Sequence, residues 1–490
     1  MFGLKIFSTA LLTGVLSFNC YAINVLKANT EFKKGNYSVA LPLYKEGAKL
    51  GNGHAQYQLG VMHLKGLGVE SNTASSMVYL SLAAEQDYYN AKSLIEKMRS
   101  SLGEEDLYLL DNAIEEERVA QQNYQRQFMP ELNQSNINKK VTFGEENALT
   151  TKVYFEELVE FQNFDEVLQN SGGGFDDLDD GESLDVAIVV NNPGFLVVEN
   201  DVASDGSVRY IREIQKSGNT SRYLDAYKLF PLAQPAFGDK STEFVHRAYM
   251  GAATDDQFYL NNNLPLLYNQ TRRILRAAKN NPTLESLYQY AIAMIVFPWM
   301  ESEDNEAEIL LKELAEKGHP GAMYEYGLQL YMQQKDIPEA IRWITQASKY
   351  GLSRAEYRLG KLLLSSPWII KDEQKALFWF ESAAEKGDEA ASLHAAKIKL
   401  TADDKALLDV SGALKYLDTI ASSQNLNPEY QYLLSISYRL RPQRDFKKSV
   451  ELLEKAISMG MRTNWDTSEW QALLAKLLQG NITVTDFESK

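Results

Sequence analysis

Residues 40–68, ALPLYKEGAKLGNGHAQYQLGVMHLKGLG, have the pattern of two short helices joined by a glycine turn. Small side chains allow two antiparallel helices to approach closely, and glycine adopts the positive φ angles that reverse the chain. We predict that Gly51 and Gly60 mark repeat turns in this stretch. Ala91 lies 36 residues after Ala55 in an equivalent position, which indicates that the helix pair is repeated.

The same pattern returns in the C-terminal half of the chain. Gly318, Gly351 and Gly387 are spaced 33 and 36 residues apart, and an alanine follows each of them by four residues. Gly327 and Gly360 follow the first two by nine residues, and we predict all five glycines at repeat turns. Fixed periods of this length are typical of an α-solenoid, in which each helix pair buries its apolar face against its neighbours.

The motif in residues 40–68 resembles the Sel1-like repeat, a relative of the tetratricopeptide repeat with a longer, glycine-marked turn. The segment from Ala376 to Gly387 is similar to the second helix of that repeat. The resemblance covers roughly residues 36–98 and 283–480. It implies a curved scaffold that presents a concave surface to a partner protein.

Composition and charge exclude several classes of protein. The chain has 490 residues, a formal net charge of −16 and 44% hydrophobic residues, which is enough for several domains with packed cores. An acidic surface repels phosphate backbones, so we expect no nucleic-acid partner. The single cysteine, Cys20, excludes a disulfide framework, a thiolate zinc site and an iron–sulfur cluster.

Residues 1–22 have the features of a secretory signal peptide. Lys5 precedes an apolar run over residues 6–18, which is too short to span a bilayer. The small residue Ala22 favours cleavage between Ala22 and Ile23. Retention of the leader as an anchor and lipidation of its cysteine are the alternatives. We therefore predict an exported protein, located in the periplasm of a Gram-negative bacterium.

Between the two repeat blocks the periodicity changes from helical to strand-like. Residues 185–190, 195–202 and 208–214 are rich in β-branched side chains and indicate strands. The last two of these runs flank Asp205-Gly206, which is a strong signal for a β-hairpin.

A short helix over residues 223–230 and a strand over 243–249 complete the order β-β-α-β. Pro235 is predicted to end the helix. The predicted fold class is therefore mainly α, an α-solenoid of Sel1-like helix pairs interrupted by a small α+β domain.

This ordered set of elements resembles the C-terminal domain of TonB-type energy transducers over roughly residues 195–250. The residues that carry the resemblance in the hairpin and the helix are Asp205, Gly206, Ser217, Gly218, Leu224, Asp225 and Pro235. It implies a sheet that takes a segment of an outer-membrane receptor as an additional strand. The candidate edge strand for this partner consists of Glu243, Phe244, Val245, His246, Arg247, Ala248 and Tyr249.

The segment departs from the TonB pattern in its position in the chain. It lies in the middle of the sequence, no proline-rich spacer precedes it, and the leader has a cleavage site. The resemblance therefore implies partner binding by strand addition more than it implies energy transduction.

These segments predict an order of domains along the chain. The order is a signal peptide (1–22), N-terminal repeats with a capping helix (23–130), a polar and acidic linker with a short helix (131–184), the TonB-like domain (185–252), a connecting helix (253–282), the C-terminal solenoid (283–480) and a tail (481–490). Glycines and like charges near residues 172–180 indicate a solvated hinge before the TonB-like domain.

We find no residues with the spacing of a catalytic, metal or cofactor site, and we predict that no cofactor is bound. His54 and His319 fall at repeat turns, where we expect surface positions. The acidic run 176–180 fails the calcium-loop template, because Leu178 and Ala187 would occupy ligand positions.

The sequence predicts a non-enzymatic periplasmic scaffold or adaptor for protein–protein interaction, associated with TonB-dependent transport across the outer membrane. The expected partners are proteins, with outer-membrane TonB-dependent receptors and TonB-system components as candidates. One alternative is an atypical TonB-family energy transducer that keeps its N-terminal anchor. Another is an envelope hydrolase with an unrecognised site.

Overall fold

The computed structural model describes residues 23–144 and 194–479. The chain divides into two compact units, each built from two segments that are distant in sequence. The first unit contains Met1–Ile137 and Leu311–Gln424, and the second contains Asn138–Leu310 and Asn425–Lys490.

Several predicted features lie outside the described residues. They are the leader (1–22), the linker helix (153–168), the acidic run (176–180), the first predicted strand (185–190) and the tail (481–490). These features stay predictions.

The N-terminal segment of the first unit is helical. Its helices are α1 (Val25–Lys33), α2 (Tyr37–Lys49), α3 (Gly53–Lys65), α4 (Thr73–Ala84), α5 (Ala91–Arg99) and α6 (Glu104–Gln125). Asparagine side chains cap α1, α3 and α4, because Asn24, Asn52 and Asn72 accept hydrogen bonds from first-turn amides at 2.9, 2.8 and 2.9 Å. The long helix α6 packs against α4, as expected of a capping helix.

The β-containing part of the second unit has two small antiparallel sheets and one short helix among its described residues. Its elements are β1 (Thr142–Phe143), β2 (Phe195–Val202), β3 (Val208–Ser217), α7 (Ser221–Leu229), β4 (Pro235–Phe237), β5 (Lys240–Ser241) and β6 (Phe244–Gly251). The strand orders are β3-β2-β6 and β1-β4-β5. Pro235, predicted only to end the helix, begins a strand. Its partner is Phe143, a residue too distant in sequence for a local pattern to indicate the pairing.

Both faces of the larger sheet are covered, so that every residue of β2 is buried. Leu196 and Val198 share an apolar cluster with Tyr227 of α7. Phe195 and Val197, whose side chains point to the opposite face, share a second cluster that contains residues of the helices that follow β6.

The predicted connecting helix over residues 253–282 is two helices in the structure. They are α8 (Gln257–Asn263) and α9 (Pro265–Asn280), and α10 (Leu284–Val296) follows them. The Asp256 side chain caps α8 by accepting from the amide of Tyr259 at 2.7 Å. Pro265 has no amide hydrogen to extend α8, and it begins α9 at a position where helices tolerate proline.

Helices make up most of the remaining described residues, 298–479. They are α11 (Glu306–Glu316), α12 (Pro320–Met332), α13 (Ile337–Lys349), α14 (Ser353–Ser365), α15 (Glu373–Ala384), α16 (Glu389–Thr401), α17 (Val410–Thr419), α18 (Ala421–Gln424), α19 (Pro428–Leu440), α20 (Phe446–Arg462) and α21 (Ser468–Gln479). Aromatic residues such as Tyr324, Tyr357 and Trp379 are buried between these helices. The predicted fold class, mainly helical repeats with a small antiparallel sheet region, is confirmed.

Within the first unit, the N-terminal helices contact the later repeats directly. The amide of Leu26 donates to the carbonyl oxygen of Tyr350 at 3.2 Å. The indole nitrogen of Trp379 donates to the carbonyl oxygen of Phe128 at 2.9 Å, and the Phe128 ring stacks on Phe378. Repeats that are hundreds of residues apart in sequence therefore share one core.

Candidate protein-interaction surfaces

The glycines predicted at repeat turns occupy two different kinds of position. Gly51, Gly318, Gly351 and Gly387 have positive φ angles at turns between helices. Gly60, Gly327 and Gly360 lie within α3, α12 and α14 instead.

Close helix packing explains the glycines within the helices. A Cβ atom on Gly60 would lie 2.6 Å from Cγ of Leu80, and one on Gly360 would lie 2.7 Å from the ring of Phe380. Real Cβ contacts are longer, so any side chain at these positions would force the paired helices apart. The repeat pattern located these glycines correctly but gave them the wrong structural role.

Gly351 has a second requirement besides its turn conformation. Its φ angle is +82°, and an added Cβ atom would overlap the carbonyl oxygen of Ile23. Ile23 and Val25 are themselves buried. The entry to α1 therefore packs directly on this repeat turn.

His54 belongs to a hydrogen-bonded cluster and is not the surface turn residue that the sequence predicted. Its Nδ1 lies 2.5 Å from the hydroxyl of Tyr88, and its Nε2 lies 2.6 Å from Oδ1 of Asn29. The Tyr44 hydroxyl donates to the same asparagine oxygen at 2.7 Å, and the His54 ring stacks on Tyr350. Burial lowers the pKa of His54 to about 4, so the imidazole is neutral at neutral pH.

A tyrosine surface lies beside this cluster, formed by Tyr57, Tyr88 and Tyr89. The ring of Tyr57 lies 5.9 Å from that of Tyr88 and 5.6 Å from that of Tyr89, and its hydroxyl donates to Asn90. Tyr89 is 80% exposed. Large exposed aromatic rings that are held by neighbouring rings are typical anchors of protein interfaces.

The turn that presents Tyr89 has an unusual backbone. Asp87 and Tyr89 both have φ angles of 50°. Residues other than glycine rarely adopt positive φ angles. Asp87 lies 36 residues after Gly51, and the equivalent residue after Gly351 is Gly387. Backbone strain of this kind concentrates at functional sites. The sequence contains the tyrosine doublet, but no periodic pattern indicates that Tyr88 is partly buried and Tyr89 exposed.

His319 lies at a turn, as the sequence predicted. It caps α12, with its Nδ1 accepting a hydrogen bond from the amide of Ala322 at 3.1 Å. Its role is therefore to begin a helix.

The Asp205-Gly206 hairpin contacts the C-terminal repeat of the second unit. The Asp205 carboxylate accepts from the amide of Ser207 at 2.9 Å, from Arg209 at 3.0 Å and from the amide of Asp466 at 2.6 Å. Burial acts to raise the pKa of Asp205, but these hydrogen bonds and the nearby guanidinium outweigh it and lower that pKa.

Two more side chains join the hairpin to the same repeat. The Arg209 guanidinium lies 4.1 Å above the ring of Trp465. Tyr210, which has a φ angle of 52°, donates a hydrogen bond to the Glu429 carboxylate. The β-containing insert and the last repeat are thus parts of one packed unit.

The other TonB-like residues have structural positions within this unit. Ser217 ends β3, and Gly218 follows it with a positive φ angle. On α7, Leu224 packs against the sheet, whereas Asp225 is exposed and faces Lys228 at 3.8 Å.

The predicted edge strand, residues 243–249, corresponds to β6. In the described sheet it is a terminal strand, paired antiparallel with β2 from Phe195↔Gly251 to Val202↔Phe244. Most of its side chains are buried, including an Arg247 whose guanidinium lies 3.6 Å from the buried Glu199 carboxylate. Access for a partner would therefore be through the backbone of the strand.

Two other kinds of site are absent from the described residues. These residues hold no group of three or more histidine, cysteine or acidic side chains that could bind a metal ion. None of the helices in residues 23–144 and 194–479 is long and apolar enough to cross a membrane.

Four segments of the chain, residues 53–88, 320–351, 353–388 and 428–461, match the Sel1 repeat family. Sel1 repeats suggest a scaffold for protein–protein interaction. No curated protein matches the chain significantly.

The solved structures that are similar to this chain include the following two. One is a Sel1 repeat protein from Oxalobacter formigenes, with 21% identity and a TM-score of 0.30, covering 42% of this chain and 98% of its own. The other is a protective antigen of uropathogenic Escherichia coli that displays an SLR fold. It has 14% identity and a TM-score of 0.35, and the match covers 93% of this chain and 82% of the antigen.

Proposed function

We propose that this protein is a non-enzymatic scaffold of a bacterial envelope that holds a protein partner on its tyrosine surface. The observation that carries the proposal is Tyr89, which is 80% exposed and supported by the ring of Tyr57. Its turn keeps a strained backbone where the equivalent turn of another repeat has glycine. A rigid exposed aromatic loses little conformational entropy on binding, which favours an interface role.

The test compares two exposed tyrosines of the first unit. Tyr89→Ala is expected to reduce capture of the partner from an envelope extract by about tenfold or more, as for an interface anchor. Tyr108→Ala is the matched control, because Tyr108 is 68% exposed and lies on α6. Captured proteins are quantified by mass spectrometry. Equal partner recovery with Tyr89→Ala and the wild type would reject the tyrosine surface.

We also propose that the protein is exported to the periplasm and that a TonB-dependent receptor or a TonB-system component pairs with β6. The resemblance of residues 195–250 to TonB C-terminal domains and the terminal place of β6 in the described sheet support this. Strand addition would protect the β6 amides from hydrogen exchange when a receptor peptide is added. A peptide with alternating prolines is the control, because it cannot complete the ladder of hydrogen bonds.

The N-terminus of the purified protein tests export separately. A chain that begins at Ile23 and is recovered from the periplasmic fraction is expected. An intact Met1 in the inner membrane would support the energy-transducer alternative. It would contradict the proposal that the protein is released into the periplasm.

A further inference from the structure

Helix α9 of the second unit has a basic face formed by four exposed residues, Arg272, Arg273, Arg276 and Lys279. Side chains four and seven residues apart lie along one side of a helix. Nε of Arg276 donates to the backbone oxygen of Arg272 at 3.2 Å, within the helix. Among residues 23–144 and 194–479, no acidic side chain forms a salt bridge with any of the four. Within the described residues, these four cations therefore form a face without acidic partners, in a protein whose formal net charge is −16.

The opposite side of α9 is part of the core of the second unit. Thr271 and Ala278 are buried, and Ile274 and Leu275 pack against a cluster that contains Met294. A helix that binds a membrane surface inserts its apolar face among the lipids. In α9 the apolar side chains of that face are packed in the core, so they are not available for insertion among lipids.

We propose that the basic face of α9 binds an acidic segment of a partner protein through carboxylate–guanidinium pairs. Three of its four cations are arginines, whose planar forks match carboxylates with two parallel hydrogen bonds. Arg272 and Arg276 are about 6 Å apart along the helix axis. Alternate residues of an extended chain are about 6.7 Å apart, so an acidic residue at every second position would match this row.

Two exposed apolar side chains precede the basic face in sequence. Phe258 of α8 is 76% exposed, and Leu266 of α9 is 72% exposed. Arginine and aromatic residues are both enriched at protein interfaces. We therefore expect the acidic run of the partner to be flanked by an apolar residue.

This inference rests on the proposed scaffold function only because it assumes that the partner is a protein. The basic face of α9 and the tyrosine surface are different surfaces. The probe is a fluorescein-labelled peptide in which glutamate alternates with serine, and its control has glutamine in place of glutamate. Fluorescence anisotropy measures binding of each peptide to the full chain. The test variant is Arg272→Glu/Arg276→Glu.

The matched control is Lys312→Glu/Lys317→Glu, at one lysine of α11 and one that directly follows it, which changes the net charge by the same amount. Their side chains are 54% and 55% exposed, and each is near a glutamate of α11. We expect the arginine variant to weaken binding of the glutamate peptide by about tenfold or more, because charge-assisted bidentate pairs are lost. The lysine variant should change it by less than about twofold.

Four results would overturn the proposal. One is equal weakening by both double variants, and another is equal binding of the glutamate and glutamine peptides. A third is binding to vesicles of phosphatidylglycerol and phosphatidylethanolamine without binding to the peptide. The fourth is self-association that the arginine variant abolishes, which would assign the face to a second copy of this chain. Tyr89→Ala should leave peptide binding unchanged, so failure of the tyrosine surface is distinguishable from failure of this one.

Discussion

Nζ of Lys386 lies 2.8 and 2.7 Å from the two carboxylate oxygens of Glu356, inside the first unit. Glu356 has no exposed surface, and its carboxylate also accepts from the Ser382 hydroxyl at 2.9 Å. Burial raises the pKa of Glu356 to about 7, even though the ammonium group of Lys386 acts to lower it. The desolvation of the carboxylate therefore exceeds the gain from pairing.

The same contact occurs without charge in the first repeat. Gln56 and Gln86 lie 5 and 35 residues after Gly51, and Glu356 and Lys386 have the same offsets from Gly351. The Gln86 side chain donates to the Gln56 side chain at 2.8 Å. The same two repeat positions thus hold a hydrogen-bonded amide pair in one repeat and an ion pair in another.

Removing the cation of the pair should destabilise the fold strongly. At pH 8 we expect Lys386→Gln to lower the free energy of unfolding by about 3 kcal/mol, because it leaves a buried carboxylate without its cation. Glu356→Gln/Lys386→Gln should restore stability to near the wild-type value, since it copies the glutamine pair. Urea unfolding followed by circular dichroism measures each value.

The control for this prediction is an exposed ion pair of similar chemistry. Lys34 contacts Glu31 at 3.0 Å, and the Lys34 side chain is 59% exposed. Lys34→Gln should cost less than about 1 kcal/mol. If Lys386→Gln lowers the free energy of unfolding no more than Lys34→Gln does, the buried pair contributes no more to stability than an exposed one.

Glu356 should also make stability depend on pH. Its pKa is about 7 in the folded protein and near the ordinary value of 4.5 when unfolded, so the folded state binds more protons between these values. The contribution to stability is fully present below pH 4.5 and is lost as the pH rises through 7. The loss is on the order of 3 kcal/mol.

Glu356→Gln isolates this effect from the other carboxylates. Urea unfolding from pH 4.5 to pH 8 should give a difference between variant and wild type that grows in favour of the variant. A difference that stays constant over this range would show that Glu356 titrates normally in the folded protein.

Gly351 and Gly387 form a matched pair for the contact between α1 and the repeats. Their φ angles are +82° and +86°, but only an added Cβ at Gly351 would meet other atoms within 4 Å, those of Ile23 and Asn24. Gly387→Ala should cost about 1–2 kcal/mol from backbone strain alone. Gly351→Ala should cost more and should increase hydrogen exchange in α1. Equal losses of stability for Gly351→Ala and Gly387→Ala would mean that α1 can move away from the turn at Gly351 without destabilising the fold.

The contact between the hairpin and the last repeat predicts coupling between Arg209 and Trp465. The two side chains form a cation–π pair at 4.1 Å, and Arg209 is only 17% exposed. Arg209→Ala and Trp465→Ala should therefore be non-additive by about 1 kcal/mol in the free energy of unfolding. Additive effects would indicate that the insert folds without this repeat. In that case, deletion of residues 185–250 would leave the repeats intact.

The repeat architecture could be predicted because its determinants are local. Glycines at turns and small residues at helix contacts recur with a fixed period, and the Asp205-Gly206 pair marks a hairpin. The role of Gly60, Gly327 and Gly360 could not be predicted. The sequence alone does not distinguish a glycine needed for a turn from a glycine needed for close packing against a side chain of a neighbouring helix.

The sequence by itself determined the helix pairs, their period and the strands β2, β3 and β6, because backbone conformation depends on nearby residues. Only the tertiary structure decided which repeats share a core and which residues of the turns are exposed. The hydrogen bond from Leu26 to Tyr350 and the contact of Asp205 with Asp466 join segments that are hundreds of residues apart. Apolar helix faces in similar repeats are chemically alike, so local patterns do not specify which of them pair.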